Sequence, residues 1–153
     1  MMGDGQGAEL VTIQPSPSYE ITLPADVSQG YAGIVASFWM DSPLALQLSG
    51  YKRKHGEQVS AAQRLKDRMD ECGEKWSIWE ANVHPDTRID QATGEYLDEN
   101  GVVWLHSYLV WPHYTIYATV AIPKGIARER ADWALQGIAS IRMLPGQSSS
   151  AAE

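Results

Sequence analysis

The stretch VVWLHSYLVWPHYTIYATVAIP, residues 102–123, decides the fold of this protein. Pro112 and His113 divide it into two apolar segments, which predicts two antiparallel strands joined by a short turn. In a strand, residues two apart share a face, so the members of each face can be read directly. On the first strand, one face holds Val103, Leu105, Leu109 and Trp111, and the other holds Trp104, His106, Tyr108 and Val110.

The second strand has one clear core face, made of Tyr114, Ile116, Ala118, Val120 and Ile122. The opposite face of the strand pair is mixed, because its aromatic side chains combine a large apolar area with a polar tip. Two interpretations of this mixed face remain open. Either the protein's own helix covers it, or it stays partly exposed and receives an apolar segment of a partner, as aromatic interface centres do.

The rest of the chain alternates predicted strands with amphipathic helices. Period-two or compact apolar patterns predict strands at 19–23, 31–40, 44–54 and 75–84. Helices are predicted over 59–72, where Ser60 and Gln63 have the spacing of a capping box and Gly73 ends the pattern, and over 126–141. The polar stretch 85–100 is expected to contain a small hairpin between 88–90 and 95–97.

This order predicts an α+β fold, an antiparallel β-sheet with helices packed on one face or, as a three-layer α/β/α sandwich, on both. We expect a single α+β domain over residues 19–144. Residues 1–18 and 145–153 are rich in Gly, Ser and Pro, which predicts a flexible N-terminal segment and a flexible C-terminal tail.

Composition excludes several classes of protein. The net charge of −7 disfavours nucleic-acid binding, and no apolar run reaches the roughly 18 residues of a membrane span. The one cysteine, Cys72, rules out an internal disulfide, and its place on the apolar stripe of the first helix predicts a buried, unreactive thiol. We therefore expect a soluble, cytoplasmic protein, provided that no leader precedes this sequence.

Signatures of catalysis are absent from the sequence, which contains no phosphate-binding Gly-rich loop, no HExxH, no CxxC and no nucleophile elbow. We expect no cofactor and no metal. One alternative is a hydrolase or metalloenzyme that uses His84 and Asp86, with His113 as a further metal ligand. A second alternative is a carrier of a small apolar ligand in a pocket lined by Trp79, Trp104 and Tyr117.

Four segments resemble those of the PsbP-like superfamily, which includes extrinsic photosystem II subunits, Mog-type nuclear-import factors and bacterial DcrB-like proteins. They are the strand Tyr19–Pro24, the helix start at Ser60-Ala-Ala-Gln-Arg-Leu, the strand Tyr114–Pro123 and the closing helix from Trp133 to Arg142. The resemblance implies an antiparallel sheet with helices on both sides and a non-enzymatic role in binding proteins. Among bacterial relatives, it implies a chaperone of type VI secretion effectors. The chain departs from the lipoprotein members of the superfamily in having no lipobox, and Ala25-Asp26-Val27 stands where many members have a tryptophan.

The sequence thus favours a non-enzymatic protein-binding module, a secretion-effector chaperone or adaptor. The predicted partner is another protein or peptide, or a second copy of the chain. The predicted contact residues are Trp104, His106, Tyr108, Tyr117 and Trp79.

Overall fold

The computed structural model describes residues 9–40, 43–52, 60–72 and 75–145. The strands in these ranges are β1 (Leu10–Ser16), β2 (Tyr19–Pro24), β3 (Ser28–Ala32), β4 (Val35–Trp39), β5 (Ala45–Lys52), β6 (Ser77–Ile78), β7 (Asp90–Leu97), β8 (Val103–Val110), β9 (Tyr114–Ile122) and β10 (Arg142–Met143). The helices are α1 (Ala61–Cys72) and α2 (Asp132–Ala139), and a 3₁₀ turn at Arg128–Ala131 precedes α2. None of these helices is long and apolar enough to cross a membrane.

The strands form two antiparallel sheets. The larger has seven strands in the order β3-β4-β5-β9-β8-β7-β6, and the smaller has three in the order β1-β2-β10. The predicted strand pair is the middle of the larger sheet, where Val103 lies opposite Ile122 and Tyr108 lies opposite Tyr117. The antiparallel α+β class is therefore confirmed.

The main hydrophobic core lies on the face of β8 and β9 that the alternation predicted. Leu105, Leu109 and the whole predicted stripe of β9 are buried there. Side chains of β2 and α2 cover them, including Ile21, Leu23, Ala134 and Ile138. Gly137 allows the close approach of α2 to β2, because a Cβ at that position would lie 2.5 Å from Cδ2 of Leu23.

The opposite face of β7 and β8 packs against α1. Ala61 and Leu65 of the helix are buried with Tyr108 and Val110 of the sheet. Two side chains cap the start of α1, because Ser60 Oγ accepts from Gln63 N at 3.1 Å and Asp90 Oδ2 accepts from Ala61 N at 2.8 Å. The predicted start at Ser60 is thus correct, although the Gln63 side chain donates to Asp67 rather than back to Ser60.

The protein is mostly β, so the three-layer α/β/α sandwich that we considered is wrong. The layer over the main core is built largely from the three-stranded sheet, with α2 contributing only 8 residues. The superfamily resemblance had likewise implied helices on both sides. In this molecule a small sheet takes much of the area that a second helical layer would cover.

Three predicted strand patterns need correction at glycines or turns. The run 31–40 is split between β3 and β4, because Gly33 adopts a φ of +62° and turns the chain. No hairpin forms between 88–90 and 95–97, since Gly94 lies inside the continuous strand β7, where its missing side chain makes room for Trp76 and Leu65. Of the alternating run 75–84, only Ser77 and Ile78 form a strand, β6, although Trp79 N also donates to the Thr93 carbonyl of β7 at 2.8 Å.

Part of the predicted flexible N-terminal segment forms a strand, and nearly all of the predicted C-terminal tail lies outside the described ranges. Leu10–Ser16, which we assigned to a flexible segment, form β1 and pair with β2. Residues 1–8 and 146–153, His55, Val59, Gly73 and the Cys72 side chain lie outside what the structure describes.

Candidate functional site

The predicted contact face contains a group of rings that we call the aromatic cluster, made of Trp76, Tyr96, Trp104, His106, Tyr108 and Tyr117. The rings of Tyr108 and Tyr117 stack with centroids 4.6 Å apart and planes 20° apart. Their positions follow from the β8–β9 register, which places these two residues directly opposite each other.

Helix α1 covers much of this cluster. The Arg68 guanidinium lies 5.0 Å from the Tyr117 ring centroid and also hydrogen-bonds with Tyr108. Only 6% of Tyr108 and 6% of His106 is exposed, so neither residue can contact a partner while α1 is in place. The expectation that these two side chains form a partly exposed surface is therefore wrong. The protein's own helix covers Tyr108, which is the other interpretation that the sequence left open, and the rings of Trp76 and Tyr96 pack on His106.

Histidine 106 is the most constrained polar group in the cluster. The Tyr117 hydroxyl hydrogen-bonds with its Nδ1, and its Nε2 is buried with no hydrogen-bond partner among the described residues. Burial, and then the positive charge of Arg68, lower the pKa of His106 from 6.5 to about 4. His106 is therefore uncharged at neutral pH.

Trp79 does not belong to the cluster. It packs against the main core on the other face of the sheet, and its Nε1 donates to Glu95 Oε1 at 2.7 Å. Arg128 pairs with the same carboxylate, and these hydrogen bonds lower the pKa of Glu95. Trp104 is half-buried and donates to Asp98 Oδ2 at 2.9 Å. The structure thus brings together four of the five predicted contact residues and separates Trp79 from them.

A second site, which sequence reasoning missed, is an open groove of about 680 Å³ that we call the tyrosine groove. It lies where the β1–β2 turn approaches the β3–β4 hairpin and the end of β5. Among the described residues, its lining is mostly apolar and contains a single charged residue, Lys52. Its aromatic and proline residues are Pro15, Pro17, Tyr19, Tyr31, Tyr51 and Tyr114.

The tyrosines of the groove have graded exposure. Tyr19 and Tyr114 are 2% and 7% exposed with ring centroids 5.9 Å apart, whereas Tyr31 is 53% exposed. Burial, and then the nearby Tyr114 and Tyr31, raise the pKa of Tyr19, so its hydroxyl keeps its proton. Tyr31 Oη donates to Gln29 Oε1 at 2.6 Å. The arrangement offers hydroxyl groups at the edge of an apolar surface, which suits noncovalent binding.

Glycine 50 sets the depth of the groove. A Cβ at this position would lie 2.5 Å from the Tyr114 hydroxyl oxygen, so no other residue fits without moving that ring. The sequence held one signal of this site, because an isolated glycine in an apolar strand marks a close approach. The four tyrosines come from distant segments, and only the strand register brings them together.

The residues of the hydrolase and metal hypothesis have structural partners. His84 is 7% exposed, its Nε2 hydrogen-bonds with the Ile141 carbonyl at 2.8 Å, and its Nδ1 accepts from Asp86 N at 3.1 Å. The Asp86 carboxylate pairs with Arg88, which lowers the pKa of Asp86 to about 2. Across residues 9–40, 43–52, 60–72 and 75–145, no three His, Cys, Asp or Glu side chains are grouped so that they could hold a metal. The geometry therefore gives this alternative no support.

Comparisons with known proteins identify the fold class alone. No family model and no curated protein matches the chain. A crystal structure of a protein from Bacteroides thetaiotaomicron VPI-5482 is similar, with a TM-score of 0.53 and 15% sequence identity. The similarity covers 84% of this chain and 46% of that chain, so this protein spans less than half the length of that neighbour. At such low identity the likeness shows a shared fold.

Proposed function

We propose that this protein is a non-enzymatic binding module that holds an extended, uncharged segment of another polypeptide in the tyrosine groove. The observation that carries the proposal is the groove itself, whose lining, as far as the structure describes it, is apolar and holds four tyrosines and one charged residue. Tyrosine contributes large contact area with few rotatable bonds, and aromatic-lined grooves recognise extended proline-containing segments. The described part of the groove lining carries little charge in a protein of net charge −7, which suits an apolar segment there.

Protein binding is the role that the sequence predicted, but we place the main binding surface in the tyrosine groove and not on the aromatic face of β8 and β9. His106 and Tyr108 support the sheet from beneath α1, while the half-buried Trp104 and Tyr117 can add contacts at the margin of the cluster. The resemblance to the PsbP-like superfamily supports a chaperone or adaptor role in bacterial secretion. A cytoplasmic location, expected from the sequence, suits such a role.

The test is selection from a displayed random-peptide library, followed by affinity measurement with the selected peptide by fluorescence anisotropy. Ile34→Glu changes a groove residue that is 64% exposed, so the fold should be retained. We expect it to weaken binding at least about tenfold, because it places a charge in an apolar contact. Leu97→Glu is the matched control, since Leu97 is 63% exposed and lies outside the groove lining.

Equal affinities of the wild type and Ile34→Glu for the selected peptide would exclude the groove as the binding site. Failure to select any peptide that binds above background would contradict the proposed function itself. Far-ultraviolet circular dichroism of both variants establishes that the fold is intact.

A small apolar ligand is the second candidate for the groove. The volume of about 680 Å³ falls within the roughly 300–1,000 Å³ of pockets that hold small molecules. Native mass spectrometry of freshly purified protein separates the two candidates. A copurified small molecule that is present in the wild type and lost in Ile34→Glu would favour the carrier function.

A further inference from the structure

Strand β3 forms one edge of the seven-stranded sheet, and its outer backbone groups face no other strand of the described residues. An open edge of this kind can pair with another strand, so proteins usually protect it with short length, charged residues, prolines or bulges. The four sheet edges of this molecule differ in that respect.

Three of the four edges carry such protection. Strands β6 and β10 are each two residues long. Strand β1 contains Pro15, and its pairing with β2 is interrupted between Ile13 and Ser16. By contrast, β3 has five residues, no proline and continuous pairing with β4 from Ser28 to Ala32.

Charge is also missing from the β3 edge. No charged residue occurs from Val27 to Met40, although the chain as a whole has a net charge of −7. Two copies of an acidic protein repel each other over most of their surfaces. At the uncharged β3–β4 hairpin, two copies can approach each other with less electrostatic repulsion. It also presents apolar area, because Tyr31, Ile34 and Trp39 are 53%, 64% and 39% exposed.

The sequence of β3 fits a copy of itself. An antiparallel pairing about a two-fold axis at Gly30 matches all five residues, with Ser28 opposite Ala32 and Gln29 opposite Tyr31. Gly30 itself has no side chain at the centre of this pairing, and the Trp39 ring of the same chain lies over it, 3.3 Å from where a Cβ would be. Tyr31 would meet Gln29 of the second copy, the same pair that hydrogen-bonds within one chain.

We propose that two copies of this protein pair through β3, joining their seven-stranded sheets into one continuous antiparallel sheet. This edge shares Tyr31 and Ile34 of the β3–β4 hairpin with the tyrosine groove, but Ser28 and Ala32 do not line the groove. Ser28 and Ala32 point to the face of the sheet opposite Tyr31, so the edge can be changed without altering the groove lining.

The test is a pair of charge designs measured by sedimentation equilibrium. In Ser28→Lys with Ala32→Lys, each lysine faces a lysine of the second copy, and we expect the dimer dissociation constant to rise about tenfold or more. In Ser28→Lys with Ala32→Glu, opposite charges face each other, and we expect a dissociation constant within about threefold of the wild type. The double-lysine variant is less acidic overall than the wild type, so a change in net charge cannot explain a weaker dimer.

Ile78→Lys is the matched control, because Ile78 is 61% exposed and lies on the opposite edge of the same sheet. It should leave dimerisation unchanged. A wild type that stays monomeric at the highest concentrations measured would overturn the proposal. Equal dimerisation of both charge designs would overturn it as well, and so would the loss of dimers in both. The charge designs leave the groove lining unchanged, so peptide binding measured in them shows whether one proposal fails without the other.

Discussion

Tyrosines occur in two contrasting environments in this protein. In the aromatic cluster, Tyr108 and Tyr117 stack beneath α1 and their hydroxyl groups bond to Arg68 and His106. In the tyrosine groove, Tyr31 stands more than half exposed beside a floor made by Tyr19 and Tyr114. Covered rings with bonded hydroxyl groups stabilise the fold, whereas rings on an open surface remain available for a ligand. The number of aromatic residues therefore does not identify a binding surface.

The largest expected difference between the two environments is in stability. Tyr108→Ala removes a ring that is 6% exposed and should lower the free energy of unfolding by about 3–5 kcal/mol. Tyr31→Ala, at 53% exposure, should change it by about 0.5 kcal/mol. Urea denaturation of both variants, at a concentration where the protein is monomeric, measures this. Equal effects would mean that the cluster is not a structural core.

A substitution at Gly50 tests whether the groove floor is as tightly fitted as the cluster. Gly50→Ala places a Cβ 2.5 Å from the Tyr114 hydroxyl oxygen and 2.8 Å from Cε2, and should cost about 1–3 kcal/mol. Adding Tyr114→Phe removes the nearest atom and should recover part of the loss, which urea denaturation of the single and double variants measures. If the double variant is no more stable than Gly50→Ala alone, the clash is not with the hydroxyl group.

A pH titration examines the cluster without changing any side chain. The pKa of His106 is lowered from 6.5 to about 4 in the fold, so the unfolded chain takes up the proton first as the pH falls. The free energy of unfolding should therefore decrease by about 1.5 kcal/mol between pH 6.5 and 5, as measured by urea denaturation at each pH. Glu95 and Asp98 have lowered pKa values in the fold, so the stability that their carboxylates contribute is lost mainly as the pH falls below their ordinary pKa values of 4.5 and 3.8.

One variant assigns that titration to His106. His106→Gln should flatten the dependence between pH 6.5 and 5, because glutamine does not titrate. A slope that persists in His106→Gln would show that another group is responsible.

The smallest expected effect concerns the start of α1, the helix that packs over the aromatic cluster. Asp90→Ala removes the carboxylate that accepts from Ala61 N at the start of α1 and should cost about 1 kcal/mol. Ser60→Ala removes the second cap and provides a comparison of similar size. Amide hydrogen exchange should report faster exchange in the first turn of α1, and unchanged rates there would contradict the role of Asp90.

The sequence predicted those parts of the molecule whose pattern is local. The faces of β8 and β9 follow from period-two alternation on either side of Pro112, and the start of α1 follows from Ser60 three residues before Gln63. The hairpin expected within 85–100 was wrong because a glycine that bends the chain and one that makes room for a neighbour, as Gly94 does for Trp76, look alike in sequence. Local pattern cannot separate these two uses.

The site was less predictable than the fold for a related reason. The aromatic stripe of β8 was identified correctly, but whether a helix covers it depends on contacts between α1 and the sheet rather than on β8 itself. The tyrosine groove depends on residues from four segments that meet only in the register of the folded sheets. A charge-free run such as 27–40 is visible in the sequence, yet it becomes informative only once β3 is known to be an edge.

The small sheet joins the two ends of the described chain. Strand β10 pairs with β2, Leu144 N donates to the Ser18 carbonyl, and Ser140 Oγ accepts from Thr22 N. During synthesis on a ribosome, β2 must therefore wait for the much later strand β10 before its sheet is complete. Until α2 has been made, Ile21 and Leu23 lack the cover that this helix provides, and truncation before residue 132 would leave them exposed.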